Sequence, residues 1–276
     1  MYLIMVGESI KTCLRDSPIL VTCRGMNGRR EKGTKLYHHL KKWLEKAIVD
    51  FNLIQPGDRV CVGVSGGADS LSLLDLLLSP MVFVPPFEVA AVYVDLGFPG
   101  SAEDRKILQE YLDKQGIPYM IHETNYGPLS HSEANRKNPC FLCSRLRRKL
   151  IFESAKEMGC QKIAFAHHRD DIIETLLLNL FFGREISTMV PKQSIFGGRF
   201  HIIRPLTYLS EGLIKKYARE KGFPVIPERC PTSATSRRRY VKELLRKLEE
   251  ENKDIRHNIW TAMHHVKPDY LLKKRG

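Results

Sequence analysis

Residues 59–78 read RVCVGVSGGADSLSLLDLLL. Val60, Val62 and Val64 alternate with Cys61 and Gly63, the two-residue period of a strand, and Leu71, Leu73, Leu74, Leu77 and Leu78 then crowd into a buried helix. Between the two lies Ser65-Gly66-Gly67-Ala68-Asp69-Ser70. Consecutive glycines at a strand-to-helix junction let backbone N–H groups converge, and the helix start adds partial positive charge, so this segment predicts a cradle for phosphate. It is not the GxxxxGK[ST] loop, because the chain contains no Gly-Lys dipeptide, and GxGxxG is also missing from it. A tight turn that uses glycine for steric reasons alone is the plainer alternative, and it leaves Ser65, Asp69 and Ser70 unexplained.

Working outward, Leu36, Leu40, Leu44, Ala47, Ile48 and Phe51 form a helical stripe that Pro56-Gly57 stops. On the other side the pattern predicts a strand over 89–94 ending at Asp95, a helix over 102–114 and a strand over 119–122. A helix over 141–158, a strand over 162–166 and a helix over 170–182 follow, with a strand at 202–203 and a helix over 211–221 beyond. Strands alternating with helices predict an α/β fold, a doubly wound, mostly parallel Rossmann-like sheet, followed by a helical, strongly charged C-terminal region. Ligands bind such sheets at the carboxyl ends of the strands, which singles out the loops 65–70, 95–100 and 167–171.

The 276 residues are 43% hydrophobic, enough for a substantial core, which excludes a disordered chain. Lys and Arg total 44 against 31 Asp and Glu, a formal charge of +13 that points to a polyanionic partner. The longest apolar stretch, 71–87, is broken by Asp75 and three prolines, so no membrane span is expected. The first six residues are too short for a secretory core, and a cytoplasmic location is expected. Seven cysteines then imply reduced thiols or a metal centre.

Cys140 and Cys143 frame a CxxC that opens a helix, where the dipole favours thiolates. Alone the pair is ambiguous among zinc, a redox disulfide and an iron–sulfur cluster. Cys230, in Pro227-Glu228-Arg229-Cys230-Pro231, is a candidate third ligand with no fourth Cys or His at metal spacing beside it, a set that suits a cluster with one iron left open. Cys61 and Cys160 read as packing residues. His167-His168-Arg169-Asp170-Asp171 follows a strand and starts a helix, which places its carboxylates where a metal-bound nucleotide is reached. Asp170 as a helix cap, and the histidines as ordered polar residues, are the plainer alternatives. Arg145, Arg148 and Lys149 form one basic helix face, and Arg237-Arg238-Arg239 a second cluster, suited to an RNA backbone or simply to solvent. Arg147 lies one residue off the first face and is a separate candidate for a nearby anion.

The SGGADS loop resembles the signature of the N-type ATP pyrophosphatases, the PP-loop superfamily. PCFLCSRLRRKL, IAFAHHRDDIIETLLLNLFFG, IIRPLTYLSE and FPVIPERC extend the resemblance, from about Lys35 to Leu272, to the tRNA 2-thiocytidine synthetase (TtcA) family. The resemblance implies that Ser65, Gly66, Gly67, Ala68, Asp69 and Ser70 hold the pyrophosphate of ATP, with Asp95 and His167 completing the nucleotide site. It implies that Asp69 positions Mg2+ and that Cys140, Cys143 and Cys230 bind a 4Fe-4S cluster; on the residues themselves, Asp170, Asp171 and Arg147 are further catalytic candidates. The implied reaction adenylates the C2 oxygen of a pyrimidine, in an anticodon-loop cytidine, and replaces that oxygen with sulfur. The implied partners are tRNA, a sulfur donor (a cysteine desulfurase or free sulfide) and a second copy of the chain in a homodimer.

Two positions depart from the family's pattern: Ala68 stands where it usually has Lys, and PTSATSRRR follows Cys230 in place of a Gly-Ser-Gln-Pro run. Two other functional classes remain open on the residues alone. One is a zinc-stabilised PP-loop ligase, amidotransferase or lysidine-synthetase-like tRNA modifier without sulfur transfer. The other is a non-catalytic nucleotide- and RNA-binding protein. The expected organisation is an N-terminal extension over 1–33 carrying Cys13 and Cys23, a PP-loop domain over 34–230, and a basic helical region over 231–276 packed on that domain.

Overall fold

The computed structural model describes residues 33–135, 139–233 and 236–272. The N-terminal extension with Cys13 and Cys23 lies outside the described residues. Two compact units are built from interleaved segments: one runs through His168 and resumes over Val190–Thr232, the other comprises Arg169–Met189 and the chain from Ser233 onward.

The first unit is an α/β layer structure. Its strands are β1 (Arg59–Val64), β2 (Glu88–Asp95), β3 (Tyr119–Glu123), β4 (Lys162–Ala164), β5 (Lys192–Ile195) and β6 (Phe200–Ile203). They form one sheet in the order β3-β2-β1-β4-β6-β5, parallel throughout except for the β5–β6 pair. The expected mostly parallel Rossmann-like sheet is present, and the antiparallel edge strand β5 is an addition to it. The chain builds outward from β1 through β2 to β3, then returns to the other side of β1 with β4. The carboxyl ends of β1 and β4 therefore flank the topological switch, where such sheets bind ligands.

The alternation along the strands divides the core in two. Val60, Val62, Val64, Val89, Ala91 and Tyr93 face a cluster shared with α1 (Lys35–Asp50), α2 (Ala68–Leu78), α3 (Ser101–Gln115) and α7 (Glu211–Lys221). Cys61, Ala90, Val92 and Val94 face the opposite cluster with Leu150, Ile151 and Ala155 of α5 (Pro139–Glu157). Cys61 and Cys160 are both buried here, and burial pushes the Cys160 thiol up to about 12. Thr34 caps α1 by accepting from the Tyr37 N–H at 3.1 Å.

The second unit contains α6 (Arg169–Leu178), a π-helical turn over Asn179–Gly183, α8 (Arg237–Glu251) and α9 (Ile255–Ala262). The helix expected over 170–182 thus changes its hydrogen-bond period after Leu178. Ile173, Val241 and Leu245 form its small core, with Leu177, Ile259 and Trp260 packed around them. Ser236 caps α8. Among the described residues no helix is long and apolar enough to cross a membrane.

At the amino end of the sheet, the buried Lys162 ammonium of β4 donates to Asp58, just before β1. Asp58→Ala strands that ammonium without its carboxylate and should cost about 3–5 kcal/mol in urea unfolding, whereas Lys162→Met, which removes the buried charge, should cost clearly less.

Candidate active site

The turn leaving β1 is locked from within. The Ser70 hydroxyl donates to the Gly67 carbonyl at 3.0 Å and accepts from the Ser65 N–H at 3.1 Å, and the two serine hydroxyls lie 3.2 Å apart. Gly67, at the N-cap of α2, has no side chain to occupy the first N–H groups of the helix, which leaves the helix start suited to an anion. Gly66 sits at φ +78°, and a Cβ there would stand 2.3 Å from Ile226. The Gly66 carbonyl accepts the Ile226 N–H at 3.1 Å. The segment leading to Cys230 is therefore stapled to the phosphate-loop candidate by backbone.

A second clamp lies three residues on. Arg229 grips Asp104 with both Nε and Nη2 and reaches the Pro99 carbonyl at 3.1 Å, fixing residues 226–230 over the β2–α3 loop. Val64, Ser65, Gly67, Asp95, Arg147 and Cys230 line one cleft of about 240 Å³ in this unit. Asp95, fully buried, accepts from the Gly97 N–H at 2.9 Å and from Arg105 at 2.6 Å. The Asp95 carboxylate thus also holds the turn that shapes the cleft wall. Asp69 opens α2, and its Oδ2 is 3.9 Å from Nε2 of the buried His168. His167 lies beside the Phe165 ring, with the ring centres 5.7 Å apart.

Cys140 is exposed, and Cys143 and Cys230 are half-buried. The Thr232 hydroxyl stands 3.6 Å from the Cys140 sulfur and 3.4 Å from that of Cys230. Burial pushes the Cys143 thiol up, its neighbours Cys230 and Cys140 push it the same way, and the Arg147 guanidinium and Ser130 hydroxyl oppose them. The three sequence-predicted thiols are thus gathered in one place. His131 joins them: its Nε2 is 3.1 Å from the Thr232 hydroxyl and 3.8 Å from the Cys230 sulfur, while Nδ1 lies 2.9 Å from the Gly127 carbonyl. A carbonyl only accepts, so Nδ1 donates to Gly127, and Nε2 faces the Thr232 hydroxyl and the Cys230 sulfur. Sequence reasoning missed His131 and Thr232. Arg147 is half-buried; desolvation pulls its pKa down, Arg148 adds to this, and Cys143 and Glu228 hold it up. Among the described residues no group of three or more His, Cys, Asp or Glu side chains is arranged to hold a single metal ion.

The remaining candidates have local partners. On α5, Arg148 bonds the Ser144 carbonyl at 3.2 Å, Lys149 pairs with Glu153 at 3.7 Å, and Arg145 is exposed. In the second unit Arg256 donates to Asp170 at 3.2 Å, and Arg238 to Asp171 at 3.1 Å and Glu174 at 3.4 Å. Arg239 pairs with Glu243 in the next turn, and Arg237 lies over the Phe182 ring.

With this geometry in place, the matches to known proteins are specific. A family model for the PP-loop domain matches residues 35–249. The tRNA-cytidine(32) 2-sulfurtransferase of Pasteurella multocida is 42% identical over 240 residues, 86% of this chain and 76% of that protein. Its counterpart in Alkalilimnicola ehrlichii is 43% identical over 231 residues, 83% of this chain and 73% of the relative. The chain belongs to the PP-loop family, in its tRNA-cytidine(32) 2-sulfurtransferase branch. Among solved structures, U34-tRNA thiolase NcsA from Methanococcus maripaludis, determined with its [4Fe-4S] cluster, has a TM-score of 0.68 at 22% identity, covering 84% of this chain and 80% of that one. That likeness shows the PP-loop fold.

For this PP-loop chain the Gly66 geometry is directly testable. Gly66→Ala adds about 1–2 kcal/mol of left-handed backbone strain to the overlap with Ile226. In urea unfolding, the double variant Gly66→Ala, Ile226→Ala should be relieved of the steric overlap and retain the backbone cost.

Proposed function

We propose that this chain is an ATP-dependent tRNA 2-sulfurtransferase that replaces the C2 oxygen of an anticodon-loop cytidine with sulfur. The observation that carries the reading is the shared cleft, in which the Ser65–Gly67 turn and Cys230 face the same space. A phosphate-binding turn beside a sulfur-binding thiol is what a two-stage reaction needs, since the C2 oxygen of a pyrimidine leaves only after activation.

In the first stage the C2 oxygen attacks the α-phosphorus of ATP. An O–P bond forms, the bond to the β-phosphate oxygen breaks, and pyrophosphate departs. Ser65, Gly66, Gly67, Ala68 and Ser70 hold the pyrophosphate through backbone N–H groups and hydroxyls, and Asp69 positions Mg2+. Asp95 and His167 bound the nucleoside part. Arg147 offsets the charge that develops in the cleft, the usual requirement of phosphate chemistry. Asp170 and Asp171, each bonded to an arginine in its own unit, are assigned as further catalytic carboxylates. In the second stage a sulfur nucleophile adds at C2 and AMP leaves with the former C2 oxygen.

Two thiols flank the Thr232 hydroxyl and Cys143 lies within electrostatic reach of both, a soft, all-sulfur donor set that fits an iron–sulfur cluster held by Cys140, Cys143 and Cys230. When bound, a cluster with three protein ligands offers one iron to carry sulfur. Arg145, Arg148, Lys149 and the Arg237–Arg239 run are assigned to the tRNA backbone, where cations position without reading sequence. The sulfur donor is a cysteine desulfurase or free sulfide, and a cytoplasmic homodimer acting on tRNA completes the reading.

Anaerobically purified protein should hold about four irons per chain with a broad visible chromophore, and Cys140→Ala and Cys230→Ala should each lose both. Stoichiometric zinc without a chromophore would overturn the sulfur-transfer reading in favour of a ligase. Asp69→Ala should slow tRNA-dependent pyrophosphate release roughly 10²-fold or more, while leaving the iron content intact.

A further inference from the structure

Three consecutive large apolar side chains, Leu180, Phe181 and Phe182, are exposed on the π-helical turn that ends α6, at 47%, 47% and 42%. Water contact on this scale is unfavourable, and short runs of π-helix recur at functional sites. The run is held outward by a pinned loop. The Asn179 amide donates to the Ser187 carbonyl at 3.0 Å and to its hydroxyl at 2.9 Å, the Thr188 hydroxyl reaches back to the Ile172 carbonyl, and Arg184 closes the turn at φ +60°.

The rings form an ordered set within the second unit. Phe182 meets Phe181 edge-on at 6.4 Å and 87°, and meets the exposed Tyr240 of α8 at 6.3 Å and 71°. The Arg237 guanidinium lies 4.8 Å from the centre of the Phe182 ring. A cation over one ring among three exposed aromatics does not suit an apolar protein partner. It suits a ligand with flat π-faces and a negative backbone, since bases stack on aromatic rings and on guanidinium planes while phosphates take the charge.

We propose that Phe181, Phe182 and Tyr240, with Arg237, form a stacking platform for unpaired bases of the RNA substrate. The platform rests on the RNA reading given above and adds to it a site that selects single-stranded over duplex RNA. It receives bases through their faces, so it holds an unpaired loop without specifying its sequence, and Arg237 supplies one phosphate contact or stacks beside the base.

The test is fluorescence anisotropy of the full-length chain with a labelled single-stranded RNA of about 15 nucleotides and with a duplex of the same length, over a salt series. Phe182→Leu keeps the apolar bulk and removes the π-face. It should weaken single-strand binding about tenfold, leave duplex binding within twofold and leave the slope of affinity against salt unchanged. Arg237→Gln should lower that slope by about 0.7 if it contacts a phosphate. Phe182→Trp should retain affinity, with emission quenched on binding. Native affinity in Phe182→Leu overturns the platform, as does an equal loss on duplex and single strand. Sedimentation showing a dimer that Phe182→Asp dissociates, with RNA binding intact, assigns the patch to a second copy instead. A native chain that binds no RNA overturns the RNA reading and the platform together.

Discussion

The hydrogen bond from the Ile226 N–H to the Gly66 carbonyl is the contact on which the arrangement of the first unit's cleft depends. It accompanies a Gly66 at φ +78° with no side chain, so that the Ile226 side chain occupies the space a Cβ would need. The consequence reaches beyond the turn. Residues 226–230 are drawn across the mouth of β1, Arg229 fastens the far end to Asp104 and Pro99, and Cys230 is delivered beside the cleft by main-chain geometry. A thiol at the end of a free loop would have to lose its conformational freedom on engaging any ligand. Here that entropy is largely surrendered during folding.

The parts of this plan that were legible in the sequence are those with a period or a fixed local spacing. Val60, Val62 and Val64 followed by two glycines and a leucine-rich helix admit few alternatives, and CxxC at a helix start is one turn by construction. Edge strand β5, Lys192–Ile195, was not read, because KQSI shows no apolar alternation and its residues are only half-buried or exposed. His131 and Thr232 were missed for a different reason. They lie 101 residues apart and meet only after the sheet has assembled, and neither SHSE nor PTS carries a signal of its own. In the sequence Arg229 stands out only as a neighbour of Cys230, yet its two bonds to Asp104 bridge 125 residues.

Net charge was a blunter guide than position. A formal charge of +13 suggests a uniformly basic surface, but several cations are committed to internal pairs. Arg256, Arg238 and Lys242 surround the carboxylates of Asp170, Asp171 and Glu174 in the second unit, and Asp170 and Glu174 are buried. Buried carboxylates carry a desolvation penalty that is tolerable only with partners at hand, so these cations serve the fold before they serve any ligand. The Arg-Arg-Arg run at 237–239 illustrates the division: Arg238 turns toward acids, Arg239 takes a neighbour on its own helix, and Arg237 lies on a ring.

That division bears on how specificity and affinity are apportioned. A cation paired in solvent contributes little to stability and is readily redirected to a phosphate, since exposed pairs are weak and screened by salt. Arg239 with Glu243 and Lys149 with Glu153 are of this kind, 60% and 71% exposed at the cation. Exchanging such a pair for a phosphate contact loses little, so these side chains suit a backbone track that must bind and release. Arg147 differs: it is half-buried in the cleft wall, partial desolvation lowers its pKa, and Cys143 and Glu228 oppose that. The exposed cations and the half-buried arginine therefore differ in what an incoming anion would displace: a weak, screened pair at the surface, and an environment already shared with Cys143 and Glu228 in the cleft.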